Sequence, residues 1–214
     1  MRINVEARRV LLDLARETRT VRAYVFNSSA GVIHDSFSGL CNADESWPVL
    51  FMPQQREPYS HSKALAEKMV LEANGYGPTT TNTPSSGEVQ GGWKMLTVSI
   101  RQCTPFGANH GETTVGLVEN ARNGKYEYQV GDNTNLVDWA YIENSARAFS
   151  LVAQALLVAH EADDSRPVDE SNRVDGEAFL ISNDHPVRFW TLARQVGAAA
   201  VFGIDEKEVQ VIPH

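Results

Sequence analysis

Arg22-Ala23-Tyr24-Val25-Phe26-Asn27-Ser28-Ser29-Ala30, followed about thirty residues later by Tyr59-Ser60-His61-Ser62-Lys63, is the stretch that decides the fold of this chain. The first piece is a short apolar run that stops in small polar residues, the mark of a buried strand running into a turn. The second opens a helical pattern in which Leu65, Met69 and Ala73 share a face, and Asn74-Gly75 close it. Tyr59 and Lys63 stand one helical turn apart, so both side chains project from the same side.

Working outward, residues 4–17 read as a helix through Val10, Leu11, Leu14 and Ala15, and Met95 to Arg101 reads as a strand. Further helices are expected over 113–123, 144–160 and 189–200. Short strands are expected over 126–130, 137–141, 178–181 and 208–212. Helices alternating with short apolar strands predict an α/β fold with a parallel sheet, in one domain over 1–214. Residues 34–57 form a long loop containing Trp47, and a loop of that length suits the covering of a site. The run 76–92 is polar and turn-forming, and 79–92 is expected to be a flexible surface loop.

Composition narrows the function. The chain has 214 residues, 42% of them hydrophobic, and carries 27 acidic against 19 basic residues. That supports a globular core, and the absence of a basic stripe argues against nucleic acid. Cys41 and Cys103 are expected to be free thiols in a reducing compartment. No apolar leader and no run of about 20 apolar residues is visible. The histidines (His34, His61, His110, His160, His185, His214) show no metal-ligand spacing. Arg101 is open between an ion pair and an anion contact, and Trp47 between a plain anchor and a cover for a flat substrate.

The grouping of Ser, Tyr and Lys carries the chemistry. Removing a hydride from a secondary alcohol requires its hydroxyl proton to leave too. A tyrosine phenolate can take that proton, but its ordinary pKa near ~10 is too high at neutral pH. A lysine ammonium about 4 Å away stabilises the phenolate by roughly 4 kcal/mol at an effective dielectric near 20. Tyr59 is therefore the expected acid/base and Lys63 its electrostatic tuner. Ser29, the last hydroxyl of the strand-end pair, is the expected donor to the substrate oxygen, with Ser28 as the other choice.

With those residues placed, the chain resembles the extended short-chain dehydrogenases. Within them it is similar to the 3β-hydroxysteroid dehydrogenase/isomerase family, in the branch of fungal sterol-4α-carboxylate 3-dehydrogenases (decarboxylating). Asn4 to Arg8 with Val10 and Leu11 looks like the family helix before the serine strand. Phe26 to Ile33 matches the serine motif, and Pro58 to Lys68 the Tyr–Lys helix. Ser99 to Gly107 looks like the strand and loop that close over the nicotinamide. Gly131-Asp132-Asn133 with Leu136 to Asn144 is the most branch-specific stretch. Asn144, where nucleotide-sugar epimerases usually carry Asp, and Gly176 to Asn183 with Pro186 fit this family rather than those enzymes.

The resemblance implies a Rossmann-type parallel sheet, NAD or NADP as cofactor, and oxidation of the 3β-hydroxyl of a sterol-like substrate. With a 4α-carboxylate present, the product is a β-keto acid that loses CO2. It places Tyr59 and Lys63, with Cys103, Thr104 and Phe106, at the nicotinamide end of the cofactor, and it implies no metal. Peripheral membrane association and a homodimer through the helix bearing Tyr59 are family expectations. So is a place in the cytoplasm or on the cytosolic face of the endoplasmic reticulum. By the family pattern the chain lacks the N-terminal Gly-rich half and stops before the family's C-terminal portion. Gln102 stands where the family usually has proline. A dehydrogenase or reductase of a secondary-metabolite pathway, and a catalytically inactive fragment, remain open as readings.

Overall fold

Two units make up the chain, one of residues 1–101 and 148–180, the other of residues 102–147 and 181–214. The computed structural model describes residues 2–75, 93–108, 110–162 and 172–213; the expected loop at 79–92 lies outside them. In chain order the elements are α1 (Ala7–Thr18), β1 (Ala23–Asn27), α2 (Pro58–Glu72), β2 (Leu96–Gln102) and β3 (Thr104–Phe106). Then come α3 (Thr113–Arg122), β4 (Tyr128–Val130), β5 (Leu136–Val137), β6 (Trp139–Tyr141) and α4 (Ile142–Glu161). The last are β7 (Ala178–Ile181), β8 (Val187–Arg188), α5 (Phe189–Ala199) and β9 (Gln210–Ile212).

In the first unit a sheet of order β1-β2-β7 is built on a parallel β1–β2 pair, in which Phe26 faces Ser99 and Asn27 faces Ile100. Helices α1 and α2 cover one face, where Leu12, Ala15, Ala66 and Val70 close over Phe26 and Met95. The α4 residues Val152, Leu156 and Ala159 cover the other, against Leu96 and Val98. Each of the fully buried Val70, Val98, Ile100 and Leu156 contributes roughly 1.5–3 kcal/mol by leaving water. This is the α/β arrangement with parallel strands expected from the alternation of elements, and of the Rossmann type that the resemblance implies.

Strand β2 is buried along both faces, though it is apolar on only one. Leu96, Val98 and Ile100 alternate with Thr97, Ser99 and Arg101, and all six are at most 5% exposed. The polar set bonds to α2. Thr97 Oγ1 donates to Val70 O at 2.8 Å, Ser99 Oγ donates to Glu67 Oε2 at 2.8 Å, and Arg101 pairs with Glu67. A helix otherwise free to slide on an apolar sheet is thereby fixed in register.

The expected helix over 4–17 is α-helical from Ala7, and the turn before it, Arg2–Glu6, is π-helical. Asn4 sits in that turn and donates through Nδ2 to Ser62 Oγ at 2.8 Å, tying the start of the helix to α2. The helix expected over 144–160 begins at Ile142, directly after β6.

The second unit is made of short paired pieces: β3 with β6 and β4 with β9 in parallel, and β5 with β8 antiparallel. Its core joins Leu117 and Ala121 of α3, Tyr126, Trp139 and Ala193 of α5. No helix among the described residues is long and apolar enough to cross a membrane.

Candidate active site

The start of α2 is built by local chemistry. Pro58 takes the first helical turn, where its missing N–H costs nothing, and Glu57 caps the helix by accepting the Ser60 N–H. Burial alone would raise the Glu57 carboxyl, but the N–H groups of Ser60 and Tyr59 hold it below its ordinary value. Tyr59 follows with its side chain at the surface, 52% exposed.

Lys63, one turn on, reaches back to the end of β1. Its Nζ donates to Asn27 O at 2.7 Å and lies 5.7 Å from the Tyr59 ring centroid and 5.4 Å from that of Phe26. Burial first, and then the charge of Arg8, push the Lys63 ammonium below its ordinary value. The Arg8 guanidinium lies 4.6 Å over the same Phe26 ring and donates through Nη1 to Tyr24 Oη at 2.6 Å. Arg8→Met removes one of those two causes and is expected to move the Lys63 titration upward. Proton titration of carbon-13 dimethylated lysines, with Lys63→Arg for assignment, checks this; an unchanged or lower midpoint would show that burial acts alone.

The serine pair ends β1. Ser28 N donates to Ile100 O at 2.8 Å, and Ser28 Oγ is buried with no partner among the described residues. Ser29 is partly exposed and caps the short turn Ala30–Ile33 by accepting the Gly31 N–H at 3.1 Å. Its oxygen being the acceptor there, its own O–H is left to point elsewhere. The turn lies close to α2: a Cβ added to Gly31 would lie 2.7 Å from Ser60 Oγ, so a larger residue at 31 makes that hydroxyl shift. The serine turn abuts Ser60 and Lys63 reaches Asn27 O, so the start of α2 meets the carboxyl end of β1, the end of an open α/β sheet at which ligands bind.

Cys103, Thr104 and Phe106 belong to the second unit. The Cys103 thiol is pushed up to about 11 by burial first and then by Asp138, so it remains protonated and is a poor nucleophile at neutral pH. Thr104 is exposed, while the Phe106 ring packs 6.0 Å from Trp139 and 5.7 Å from Tyr141. Gln102, at the expected proline position, donates through Nε2 to Ser145 Oγ at 3.0 Å. Cys41 and Cys103 are free thiols. Among the described residues no group of three His, Cys, Asp or Glu can hold a metal ion.

Arg101 resolves as an ion pair: its Nη2 lies 2.8 Å from Glu67 Oε1. His61 turns away from the Tyr59–Lys63 side, and its Nδ1 accepts the Met52 N–H at 3.2 Å. Three structural participants were not singled out in the sequence. Glu67 carried a readable signal, since it continues the face of Tyr59 and Lys63 by one more turn. Arg8 and Gln55 carried none, because both sit in segments whose local pattern is ordinary.

The 3-beta hydroxysteroid dehydrogenase/isomerase family matches residues 1–214. The sterol-4-alpha-carboxylate 3-dehydrogenase, decarboxylating, of Saccharomyces cerevisiae is 38% identical over 199 residues, covering 92% of this chain and 48% of that protein. Its Candida albicans counterpart is 35% identical, with 91% and 47% covered. The human enzyme of that name is 28% identical, with 91% and 44% covered. The chain spans about half the length of these curated relatives. Among solved structures, a dTDP-glucose 4,6-dehydratase from Bacillus anthracis in complex with NAD superposes with a TM-score of 0.63 at 20% identity. It covers 99% of this chain and 55% of its own, a likeness of fold. With the Ser29, Tyr59 and Lys63 motifs folded as described and the family matched from end to end, the chain belongs to the 3-beta hydroxysteroid dehydrogenase/isomerase family.

Proposed function

We propose that this chain carries the proton-transfer part of an NAD- or NADP-dependent dehydrogenase that oxidises the 3β-hydroxyl of a sterol-like alcohol, with a sterol 4α-carboxylate as the favoured substrate. The observation that supports it most is the placement of Lys63, held by Asn27 O beside a half-exposed Tyr59. The names of the yeast relatives supply the substrate class.

The residues present fit the nicotinamide end of such a cofactor. Lys63 has N–H donors beyond the one given to Asn27 O, and it stands at the carboxyl end of β1. When bound, the nicotinamide supplies a hydride acceptor. The chain's own residues handle the proton. Ser29 donates its O–H to the alcohol oxygen, and Tyr59, as phenolate, takes the alcohol proton. Lys63 holds the phenolate by charge. Ser29 is the better donor of the pair, since the Ser28 side chain is buried. The carbon that loses hydride becomes a ketone, and a neighbouring carboxylate then leaves as CO2 with the ketone accepting the electrons.

Oxidation of a 3β-hydroxysterol 4α-carboxylate by NAD or NADP, followed by absorbance of the reduced cofactor, tests the reading. Tyr59→Phe is expected to lower kcat by about 10²- to 10⁴-fold with the fold intact. Turnover by the phenylalanine variant at the parent rate would remove Tyr59 from the chemistry. A secondary-metabolite alcohol is the other substrate class, and a panel separates them. The family expectations of peripheral membrane association, on the cytosolic side, and of a homodimer are carried with this reading. Exposed Val10, Leu11 and Leu14 on α1 support a covered surface there.

A further inference from the structure

Gln55 lies in the loop between the serine turn and α2, and its side chain is fully buried. Its carboxamide uses donors and acceptor alike. Nε2 donates to Gly31 O at 3.0 Å and to His34 O at 2.8 Å, and Oε1 accepts the Glu57 N–H at 3.1 Å. Its own N–H donates to Phe51 O at 2.9 Å, which fixes its backbone. The two carbonyls belong to the turn whose Gly31 N–H is bonded to Ser29 Oγ. Glu57 is the residue whose carboxylate caps α2 beside Tyr59. A bonded path therefore runs from the Ser29 hydroxyl through Gly31, Gln55 and Glu57 to the first turn of the tyrosine helix.

Each end of that path has a separate attachment. Helix α2 is held to β2 by Glu67 with Ser99 and Arg101, two turns beyond Tyr59. The serine turn is held by Ser28 N on Ile100 O and by Leu50 N on Val32 O. Removing the carboxamide leaves both elements attached, and Lys63 on Asn27 O, but breaks the link between the serine turn and the first turn of α2. No other side-chain type supplies this link: Glu lacks the two N–H donors, Asn is one methylene short, and Met fills the space without bonding.

We propose that Gln55 is a positioning residue that sets the Ser29 hydroxyl relative to Tyr59, an inference that rests on the dehydrogenase reading given above. Small errors in such placement cost about 10²-fold in rate. The test compares Gln55→Met and Gln55→Glu, alone and combined with Ser29→Ala, using the 3β-hydroxysterol 4α-carboxylate and NAD. Each Gln55 variant is expected to lower kcat by roughly 10- to 100-fold, with KM for NAD and the pH midpoint of kcat unchanged. In the Ser29→Ala background the same change is expected to do nothing further, because Gln55 acts through Ser29. A double variant whose loss is the product of the two single losses would overturn the proposal, as would an unchanged kcat.

Amide hydrogen exchange supplies the reading that does not need turnover. In Gln55→Met the amides of residues 31–34 are expected to exchange at least about 10-fold faster, while the α2 amides beyond its first turn keep their protection. Unchanged exchange at 31–34 would overturn the link whatever the kinetics show. Faster exchange with no turnover by the parent chain would sink the dehydrogenase reading and leave the link standing.

Discussion

Lys63→Met is expected to lose about 10²- to 10⁴-fold in kcat and to lose no thermal stability. The two halves of that expectation have one origin. In the proposed reaction the ammonium serves a phenolate because it is held half-buried beside Tyr59, and the same burial, with Arg8 nearby, disfavours its charge in the folded chain. A lysine whose folded pKa lies below its ordinary 10.5 binds fewer protons folded than unfolded in the window between those two values. Stability contributed by this group therefore rises with pH across that window, and below it, at neutral pH, the full cost is present. Methionine removes the charge and keeps an apolar stem, while the approach of the ammonium to the Phe26 ring is given up. The hydrogen bond to Asn27 O is lost, but Asn27 is exposed and water can replace the ammonium there. Thermal melts of both chains between neutral pH and the ordinary lysine value should show the parent gaining on the variant as pH rises. A variant melting more than about 4 °C lower at neutral pH would mean that Lys63 is chiefly structural.

The serine strand and the tyrosine helix were legible because their signals are local. Arg22 to Asn27 reads as a strand running into small polar residues, and the helix expected from Tyr59 starts one residue earlier, at Pro58. Strand β2 was legible as a strand but not in its surroundings. An alternation of Leu96, Val98 and Ile100 with Thr97, Ser99 and Arg101 is what a half-wet strand looks like. Here the polar side is dry, because Glu67 and the Val70 carbonyl approach from α2, and no local pattern in β2 announces a partner about thirty residues away. Gln55 was illegible for the same reason. Its value lies in two carbonyls and an N–H that converge only once the loop is folded. Helix 142–161 begins two residues before its expected start, since Ile142 and Glu143 continue an extended run and carry no capping signature.

The second large effect concerns the charged pair under α2. Glu67→Met with Arg101 in place is expected to cost about 3–5 kcal/mol, because it leaves a guanidinium buried without its counter-charge. The side chains are 5% and 2% exposed, joined by Nη2 to Oε1 at 2.8 Å and by Nε to the same carboxylate at 3.1 Å. Yet the pair is not fully satisfied, since Arg101 Nη1 has no hydrogen-bond partner among the described residues. Two desolvated charges with a spare donor are a weak source of net stability. The triple variant Ser99→Ala, Glu67→Met, Arg101→Met, which removes every member together, is therefore expected to recover most of the loss in urea unfolding. What it should not recover is placement. Glu67 continues the side of α2 that carries Tyr59 and Lys63, and an apolar contact between α2 and β2 permits small shifts along the helix that a bidentate pair does not. The triple variant should thus unfold near the parent's midpoint while its kcat falls. A triple variant as destabilised as Glu67→Met alone would show that the pair holds the fold together; one with parental kcat would show that packing alone sets the register of α2.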